Sequence, residues 1–447
     1  MKNYIILKKK INNFNKTIEV SGDKSISIRW ILFSSIANGT SKAKNLLKSE
    51  DVIAALNAIK KLGIKYEFKK KICVIYGKGI NGYCYKKNLT INAENSGTLG
   101  RLILGLLVNT NTPIKLIGDK SLSKRDFSRI TEPLSKFGAK FLLKGSKYLP
   151  LKILGNSNLK PITYSETKGS AQCKSSVIFG GMRTEGTTTI KAKKSRNHTE
   201  LLCKYLDLPI SLSNKNNYDE IKIKKVKNIT PLNYNIPSDI SSSAFFIALT
   251  VLAKNSKLII KNVNVNPTRI GMITILEKMG VKIFYKNKKI YKGEKIADIH
   301  VESCKYIKSL YCPSKLNTGA IDEFLVIFII AAKANGVSIF KNLSELNQKE
   351  SPRLKWGNYI LNQMGIKTIL KNDSIKIYGN PNLKINKNII IKNFLKDHRV
   401  FMTSVIAALS FGGKWKIYDK DSIKTSFPNF LRIINDLKKN VKKKKYN

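Results

Sequence analysis

The chain has 447 residues, of which 42% are apolar and 25% are charged, so it is typical of a globular protein and long enough for two domains. Its longest apolar run, FLVIFIIAA from Phe324, is about half of what spanning a bilayer needs, so we expect no membrane segment. The formal charge of +53 invites a nucleic-acid function, but lysine is spread along the chain together with abundant asparagine and isoleucine, and no zinc-finger or aromatic RNA-binding signature occurs, so we expect no nucleic-acid partner.

Arginine and cysteine are more informative than lysine. Only ten arginines occur in the chain, and a guanidinium gives the flat, two-pronged grip on carboxylate or phosphate that an ammonium cannot give. The arginines are therefore candidates for binding an anionic ligand. The six cysteines form no CxxC pair and no Cys/His cluster, which favours a reducing cytoplasm over a disulfide or zinc framework. No secretory signal is visible in MKNYIILKKK, so the sequence predicts a cytoplasmic protein.

The stretch GDKSISIR at residues 22–29 returns almost unchanged as GDKSLSKR at residues 118–125. Two copies indicate two similar structural units, each presenting a lysine, hydroxyls and an arginine. In the first copy Ser25 or Ser27 is placed to cap a helix through IRWILFSSIANG, whose N-terminal amides would attract an anion. A phosphate site and a plain capped helix both stay open for this stretch.

A recurring phrase predicts six helix–strand junctions along the chain. An apolar-periodic helix ends in Leu-x-x-bulky-Gly and is followed by an alternating strand. Glycine there is the expected left-handed helix stop. Four copies end at Gly63, Gly138, Gly280 and Gly365, and looser copies lie at Asp207 and near Asn440.

Six such units predict an α/β (α+β) fold of two domains, each with three βα units whose helices pack inside short sheets. A pair of domains would leave a cleft, which is a usual place for a ligand site. Polar, turn-rich segments near residues 20–22 and 235–239 place the crossovers. We therefore expect one discontinuous domain of residues 1–21 and 238–447 and a second domain of residues 22–237.

Two further motifs in the first half place small residues at helix starts. NAENSGTLGRLILGLL, from Asn92, lets the backbone around Gly97 approach a ligand, with Arg101 one turn into the helix. SAQCKSSVIFGG, from Ser170, offers hydroxyl and amide groups in the same way. A glycine-bearing N-cap explains the first motif equally well.

The second half adds carboxylates to the cations. IDEFLVIFIIAA puts Asp322 before an apolar helix, as a helix cap or as a general base. NQKESPRLKW holds Lys349, Glu350 and Arg353, which could clamp a phosphate beside a proton donor, and KDHRVF holds Arg399 at another helix start. With no metal-ligand spacing, Ser/His/Asp order or dinucleotide fingerprint, this set favours cofactor-free transfer chemistry on a multiply anionic substrate.

Ten motifs in order carry a resemblance that covers nearly the whole chain. They follow GDKSISIR and are NSGT-x-x-R, GD-x-SL-x-x-R, SAQ-x-K, SR-x-HTE, D-x-SSxA, NPTR-x-G, IDE, KES-x-R, DHR and TSFP. On these motifs the chain resembles the 5-enolpyruvylshikimate-3-phosphate synthases of the enolpyruvyl transferase family.

The resemblance implies two domains of threefold βαβαββ repeats with buried helices, an inside-out α/β barrel with the active site in the interdomain cleft. It implies transfer of the enolpyruvyl group of phosphoenolpyruvate to the 5-hydroxyl of shikimate 3-phosphate, by addition and elimination that release phosphate, on the way to chorismate and the aromatic amino acids. No metal or cofactor is implied, and we expect a monomer. The two octapeptides would be equivalent loops of two repeats.

Site roles follow from the resemblance by position. Asp322 would take the proton of the 5-hydroxyl, Glu350 would protonate the methylene group, and Lys24 would contact both substrates. The residues expected to hold shikimate 3-phosphate are Lys24, Ser25, Arg29, Ser170, Gln172, Ser195, Asp322 and Lys349. Those expected at phosphoenolpyruvate are Lys24, Gly97, Arg125, Gln172, Arg353 and Arg399.

Some positions depart from the family pattern, and two other functions stay open. Ile28 stands where the family usually has histidine, Asp126 puts a carboxylate beside the expected phosphoenolpyruvate site, and Pro352 and Thr425 replace the usual residues. The alternatives are the sister enzyme that acts on UDP-N-acetylglucosamine, which typically uses a loop cysteine as acid, and a catalytically weakened basic binding protein. Residues 105–135 contain no cysteine, which favours shikimate 3-phosphate.

Overall fold

The computed structural model describes residues 3–216 and 218–439. The end of the sixth helix–strand phrase, at Asn440, lies outside the described residues. The α-helices within the described residues are α1 (Lys24–Ser35), α2 (Glu50–Lys61), α3 (Gly97–Leu106), α4 (Ser128–Ser135), α5 (Ala171–Gly181), α6 (His198–Tyr205), α7 (Ile240–Leu252), α8 (Gly271–Lys278), α9 (Asn317–Ala320), α10 (Phe324–Ala331), α11 (Arg353–Gln363), α12 (His398–Phe411) and α13 (Phe430–Lys438).

The strands are short and alternate with the helices along the chain. They are β1 (Tyr4–Leu7), β2 (Asn15–Ile18), β3 (Asn38–Lys44), β4 (Lys65–Lys69), β5 (Ile72–Lys78), β6 (Leu89–Asn92), β7 (Ile114–Ile117), β8 (Lys140–Lys144), β9 (Tyr148–Leu154), β10 (Thr163–Glu166), β11 (Thr187–Lys193), β12 (Ile210–Asn214), β13 (Tyr218–Lys224), β14 (Tyr234–Asn235), β15 (Lys257–Asn264), β16 (Ile283–Tyr291), β17 (Glu294–Glu302), β18 (Val337–Phe340), β19 (Thr368–Leu370), β20 (Ile375–Tyr378), β21 (Asn388–Ile391) and β22 (Lys414–Tyr418).

The chain forms two compact units, each with its own apolar core. The first unit contains Ser238–Lys289 and the described parts of Met1–Ser21 and Lys295–Asn447. The second unit contains Gly22–Pro237 and Ile290–Glu294, so the tip of the β16–β17 hairpin groups with the second unit.

The second unit repeats one sheet pattern three times. Its sheets have the strand orders β14-β3-β5-β4, β6-β7-β9-β8 and β10-β11-β13-β12. In each sheet the first pair of strands is parallel and the other pairs are antiparallel. The first repeat takes its opening strand, β14, from the far end of the unit, and the other two repeats run in order as βαβαββ.

The first unit has the same plan with shorter sheets. Its strand orders are β16-β17-β15-β2, β18-β20-β19 and β1-β22-β21. The pairs β2–β15 and β21–β22 are parallel, as the opening pairs of the second unit are. In the middle sheet an isolated parallel bridge between Tyr311 and Ile339 takes the place of the opening strand. The predicted α/β fold with three repeats in each domain is therefore confirmed.

One helix in each repeat is almost completely buried. Helices α1, α3, α5, α7, α10 and α12 have nearly all of their residues out of solvent. They are short and apolar around most of their circumference, as expected of helices packed on all sides, and all but α10 also contain serine, threonine or glycine. The run FLVIFIIA of α10 is such a core helix. Within the described residues, no helix is both long and apolar enough to cross a membrane.

The predicted helix stops are confirmed by backbone geometry. The four stop glycines have φ between +83° and +111°, the left-handed region that favours glycine. Asp207, in the looser copy, has φ +52° and therefore takes the same conformation. In these five copies a strand begins two or three residues after the stop, which is why this phrase marks the repeats.

The two octapeptides do not occupy equivalent places, so that expectation is wrong. GDKSISIR opens α1, the first helix of its repeat, whereas GDKSLSKR follows β7 and precedes α4, the second helix of its repeat. The likeness is local: Asp23 accepts a hydrogen bond from the Ile26 amide, and Asp119 accepts one from the Leu122 amide, three residues on in both cases. Similar sequence here gives a similar turn but not a similar position.

Candidate active site

The N-terminus of α1 presents the first candidate cation. Asp23 caps this helix, and Ser27 instead accepts a hydrogen bond from the Leu47 amide at 3.3 Å, so the prediction that Ser25 or Ser27 is the cap is wrong. Lys24 is the first residue of the helix, and its Nζ lies 2.9 Å from Oδ2 of Asp51. The Lys24 side chain keeps 20% of its surface exposed, whereas Asp51 is buried.

Arg29 lies one turn further into α1 and is buried. Its Nε donates to Thr199 Oγ1 at 2.7 Å, one Nη donates to Ser175 Oγ at 3.2 Å, and the other donates to the Ser25 carbonyl at 3.1 Å. Thr199 in turn donates to Ser175 Oγ at 2.7 Å. The guanidinium therefore ties the start of α1 to α5 and α6.

Three candidate residues meet at the N-terminus of α3, together with Arg101. Ser96 caps this helix by accepting from the Leu99 amide at 3.3 Å. A Cβ atom on Gly97 would lie 3.0 Å from Nη1 of Arg125 and 3.4 Å from Nη1 of Arg101. Gln172 accepts from Nη1 of Arg101 at 2.5 Å and donates to Thr98 Oγ1 at 3.0 Å. We call Gly97, Arg101, Arg125 and Gln172 the Gly97 cluster.

The hydrogen-bond partners of Arg125 include two neutral side chains. One Nη donates to Asn95 Oδ1 at 3.1 Å and reaches Ser121 Oγ at 3.5 Å. The departure at Asp126 has a local explanation, because its carboxylate accepts from the amide and hydroxyl of Ser128 at the start of α4, at 2.8 and 2.6 Å. Two guanidinium groups thus flank a helix N-terminus, which is an arrangement suited to an anion.

The start of α5 is held by a buried ion pair. Ser170 caps α5 by accepting from the Cys173 amide at 3.3 Å. Lys174, fully buried, lies 2.7 Å from Oε1 of Glu200 and donates to the Ser195 carbonyl at 3.4 Å. The Ser195 hydroxyl is buried and makes no hydrogen bond within the described part of the chain. Lys24 therefore pairs with Asp51, and the Ser195 backbone is held by Lys174.

In the first unit, Asp322 lies on the turn between α9 and α10, surrounded by cations. Its carboxylate oxygens lie 3.5 Å from Nζ of Lys349, 3.4 Å from Nη1 of Arg353 and 3.9 Å from Nη2 of Arg399. Arg399 also donates from Nη1 to the Asp322 carbonyl at 2.7 Å. The side chain of Asp322 keeps 14% of its surface exposed, so it is accessible to a ligand.

Arg353 is the centre of this group. It is buried and contacts Asp397 through Nε at 2.9 Å and Glu350 through Nη2 at 2.5 Å. Burial opposes the charged form, but three neighbouring carboxylates outweigh burial and raise the pKa of Arg353 above its ordinary value. We call Asp322, Lys349, Glu350, Arg353, Asp397 and Arg399 the Asp322 cluster.

Asp397 holds the cluster from beneath. It is fully buried, caps α12 by accepting from the Arg399 amide at 2.9 Å, and accepts from Ser351 Oγ at 2.8 Å. Burial raises the pKa of Asp397, but the ion pair with Arg353 outweighs burial and keeps that pKa below its ordinary value. The sequence places Asp397 at a helix start in KDHRVF, but it does not show that Asp397 pairs with Arg353. It also assigns no site role to Arg101.

The two clusters differ in what they can do chemically. The Asp322 cluster combines two partly exposed carboxylates, a buried carboxylate and three cations, which is sufficient for proton transfer on an anionic ligand. The Gly97 cluster offers cations, an amide and helix N–H groups, which is sufficient for binding. Among the described residues, no group of three or more His, Cys, Asp or Glu side chains is placed to hold a metal ion.

A family comparison decides the relationship. The family model described as EPSP synthase (3-phosphoshikimate 1-carboxyvinyltransferase) matches residues 8–434. The chain belongs to the EPSP synthase family. The family's 3-phosphoshikimate 1-carboxyvinyltransferase from Ruthia magnifica is 39% identical over 97% of this chain and 98% of its own length. The enzyme of the same name from Caldicellulosiruptor saccharolyticus is 37% identical over 93% of this chain and 95% of its own.

Solved structures agree with this EPSP synthase relationship. The EPSP synthase from Acinetobacter baumannii is 32% identical and superposes with a TM-score of 0.84 over 97% of both chains. The enolpyruvyl transferase NikO from Streptomyces tendae shares the fold, with a TM-score of 0.77 over 98% of both chains at 13% identity. The fold is therefore the two-domain inside-out α/β fold of the enolpyruvyl transferases.

Proposed function

We propose that this chain transfers the enolpyruvyl group of phosphoenolpyruvate to the 5-hydroxyl of shikimate 3-phosphate, a step of aromatic amino acid biosynthesis through chorismate. The family supports the reaction. The structural observation that carries the assignment of residues is the turn at Asp322, where one accessible carboxylate has three cations within 3.9 Å. This cluster therefore provides a carboxylate that can accept the hydroxyl proton and three cations that can bind anionic substrates.

In the proposed mechanism, two carboxylates of the Asp322 cluster, Asp322 and Glu350, transfer protons. Asp322 takes the proton of the 5-hydroxyl as that oxygen forms a bond to C2 of phosphoenolpyruvate, and Glu350 gives a proton to C3. The tetrahedral intermediate then loses a proton from C3, the double bond returns, and the bond between C2 and the phosphate oxygen breaks. Lys349 binds shikimate 3-phosphate beside Asp322, and Arg353 and Arg399 bind the anionic groups of phosphoenolpyruvate.

The second unit supplies binding groups in this proposal. The Gly97 cluster borders phosphoenolpyruvate through Gly97, Arg125 and Gln172, since two guanidinium groups and a helix N-terminus favour an anion. Lys24 contacts both substrates. The residues proposed to hold shikimate 3-phosphate in this unit are Lys24, Ser25, Arg29, Ser170, Gln172 and Ser195.

A turnover assay with two acceptors tests the proposal. Phosphate release from phosphoenolpyruvate is followed with shikimate 3-phosphate and, separately, with UDP-N-acetylglucosamine. We expect release only with shikimate 3-phosphate. Release with the nucleotide sugar alone would assign the sister reaction, and retention on DNA at physiological salt without any turnover would favour a basic binding protein.

We also propose a cytoplasmic monomer whose domains meet at residues 21–22 and 237–238. The cysteines of the described residues are free thiols, which suits a reducing compartment. Light scattering behind size-exclusion chromatography tests the oligomeric state, with one chain of about 50 kDa expected from the chain mass of 50.4 kDa. A dimer mass at assay concentration would contradict this part of the proposal.

A further inference from the structure

The motif NPTR-x-G, at residues 266–271, has no substrate role in the proposed mechanism, yet it contacts the chain on both sides of Asp322. It begins just after β15 and ends at the first residue of α8. The motif fixes its own shape: Asn266 Oδ1 accepts from the Thr268 amide at 2.9 Å and from the Thr268 hydroxyl at 2.8 Å, and the Asn266 carbonyl accepts from the Arg269 amide at 2.8 Å. These hydrogen bonds fix the conformation of residues 266–269, so the motif can position the chain segments that pack against it.

The first contact lies before Asp322 and is made by backbone. A Cβ atom on Gly271 would lie 2.6 Å from the carbonyl carbon of Gly319, 2.7 Å from the Ala320 nitrogen and 2.8 Å from the Leu316 carbonyl oxygen. These atoms belong to α9 and the residue before it, and α9 ends two residues before Asp322. Because all three are backbone atoms, only a shift of α9 itself could make room for a side chain here.

The second contact lies after Asp322 and is made by a buried polar chain. Arg269 donates through Nη2 to Ser241 Oγ at 2.9 Å, and Ser241 donates to Oε1 of Glu323 at 2.5 Å. Arg269 also lies 3.6 Å from Oδ1 of Asp239. Arg269, Ser241 and Glu323 are each exposed by 3% or less, so this chain of hydrogen bonds is closed to bulk water.

We propose that NPTR-x-G is the positioning element of the general base: Gly271 fixes the chain before Asp322, and Arg269, through Ser241 and Glu323, fixes the chain after it. The inference rests on the proposed role of Asp322. A base must lie within about 3 Å of the proton it takes. A displacement of about 1 Å can cost about 100-fold in rate without removing any binding group. The motif therefore acts on the chemical step, and its loss should change kcat much more than KM.

The test compares two serines of the same buried helix. Ser241→Ala breaks the hydrogen-bond chain to Glu323, whereas Ser243→Ala removes a buried hydroxyl that donates only to the Asp239 carbonyl of its own helix. We expect Ser241→Ala to lower kcat about 10- to 100-fold, with both KM values within about threefold of wild type. Ser243→Ala should keep kcat within about twofold. Phosphate release measured over both substrate concentrations gives these constants.

A second pair of variants asks whether the hydrogen bond, and not merely a filled volume, is needed. Glu323→Gln keeps an acceptor for Ser241 and should keep kcat within about threefold, whereas Glu323→Ala should show the loss seen with Ser241→Ala. This pair also serves if Ser241→Ala fails to fold, which thermal unfolding followed by circular dichroism reveals.

The outcomes separate this inference from the proposed function. If wild type turns over, Asp322→Asn does not, and both Ser241→Ala and Glu323→Ala keep kcat within twofold, the positioning role is wrong. A rise in KM with unchanged kcat would overturn it as well. Absence of wild-type turnover, or normal turnover by Asp322→Asn, would instead overturn the proposed function, and this inference with it.

Discussion

The two clusters of candidate site residues differ in how their charged groups are arranged. In the Asp322 cluster, Arg353 contacts three carboxylates and Lys349 contacts one. In the Gly97 cluster, Arg101 donates to the side-chain oxygen of Gln172, and Arg125 donates to Asn95 and reaches Ser121. One cluster is a network of ion pairs around Arg353, and the other places two guanidinium groups beside the N-terminus of α3.

This difference indicates a division of roles. Carboxylates held among cations can exchange protons with a ligand while remaining in place, which suits the chemical step. Two guanidinium groups beside a helix N-terminus suit the binding of an incoming anion. Variants of the carboxylates in the Asp322 cluster should therefore change kcat or stability, and variants of the Gly97 cluster should change KM.

The largest effect is expected from Asp322→Asn, which removes the proposed base and keeps its shape. Turnover should fall about 1000-fold or more, with the midpoint of thermal unfolding close to wild type. Asp436→Asn is the control, since this aspartate of α13 is 58% exposed and lies 3.7 Å from the ammonium of Lys439, which is also exposed. If Asp322→Asn keeps near-normal turnover, the assignment of chemistry to this cluster is wrong.

Asp397→Asn should mainly cost stability, because it leaves the buried Arg353 without the fully buried carboxylate that faces its Nε. Breaking a buried ion pair typically costs about 3 to 5 kcal/mol in the free energy of unfolding. The pKa of Asp397 is below its ordinary value in the folded chain, so its contribution is present above about pH 4 and is lost as pH falls through the lowered pKa. Urea unfolding of wild type and Asp397→Asn should show a difference in the free energy of unfolding at pH 7 that becomes smaller below pH 4. A difference that does not depend on pH would contradict the ion pair.

The sequence was sufficient for those features that one short segment determines. Gly63 and Asp207 both end helices in the left-handed conformation, because a helix stop depends on a few neighbouring residues. The helix cap at Asp23 was assigned to the wrong residue, since a hydroxyl and a carboxylate two residues apart are both acceptable caps and only the helix start decides between them.

Features that join distant segments were harder to predict from the residues alone. The pair Arg353–Asp397 spans 44 residues and the pair Arg101–Gln172 spans 71, so neither has a local signature. The octapeptides show the same limit. Asp119 accepts a hydrogen bond from the amide three residues later, as Asp23 does. The chain after Asp23 continues as the long helix α1, whereas the chain after Asp119 forms only a short 3-10 turn at Leu122–Lys124. The assignment of site residues needed the family motifs, because their order along the chain carries information about tertiary position.

Arg125→Lys should sharpen the comparison from the other side. An ammonium keeps the charge and loses the two-pronged contact, so we expect KM for phosphoenolpyruvate to rise about tenfold with kcat within about threefold. The same exchange at Arg432, an exposed residue of α13, should change neither constant. A fall in kcat with unchanged KM would place Arg125 in the chemical step and remove the distinction between the clusters.

The smallest effect is expected from Gly97→Ala, and it tests the Gly97 cluster at the level of one methyl group. The added carbon would meet the flexible end of Arg125 at 3.0 Å, so that guanidinium must shift by a few tenths of an ångström. Since the contact is to a flexible side chain and not to backbone, folding should be retained, and KM for phosphoenolpyruvate should rise about three- to fivefold at unchanged kcat.

Gly100→Ala, one turn later in α3, is the matched control. Its Cβ would lie 3.4 to 3.5 Å from Phe127 and Ala93, which is ordinary van der Waals contact, so it should leave KM unchanged and stabilise the helix by about 0.5 to 1 kcal/mol. Equal KM values for the two variants would show that the arginines do not bind phosphoenolpyruvate at this helix start.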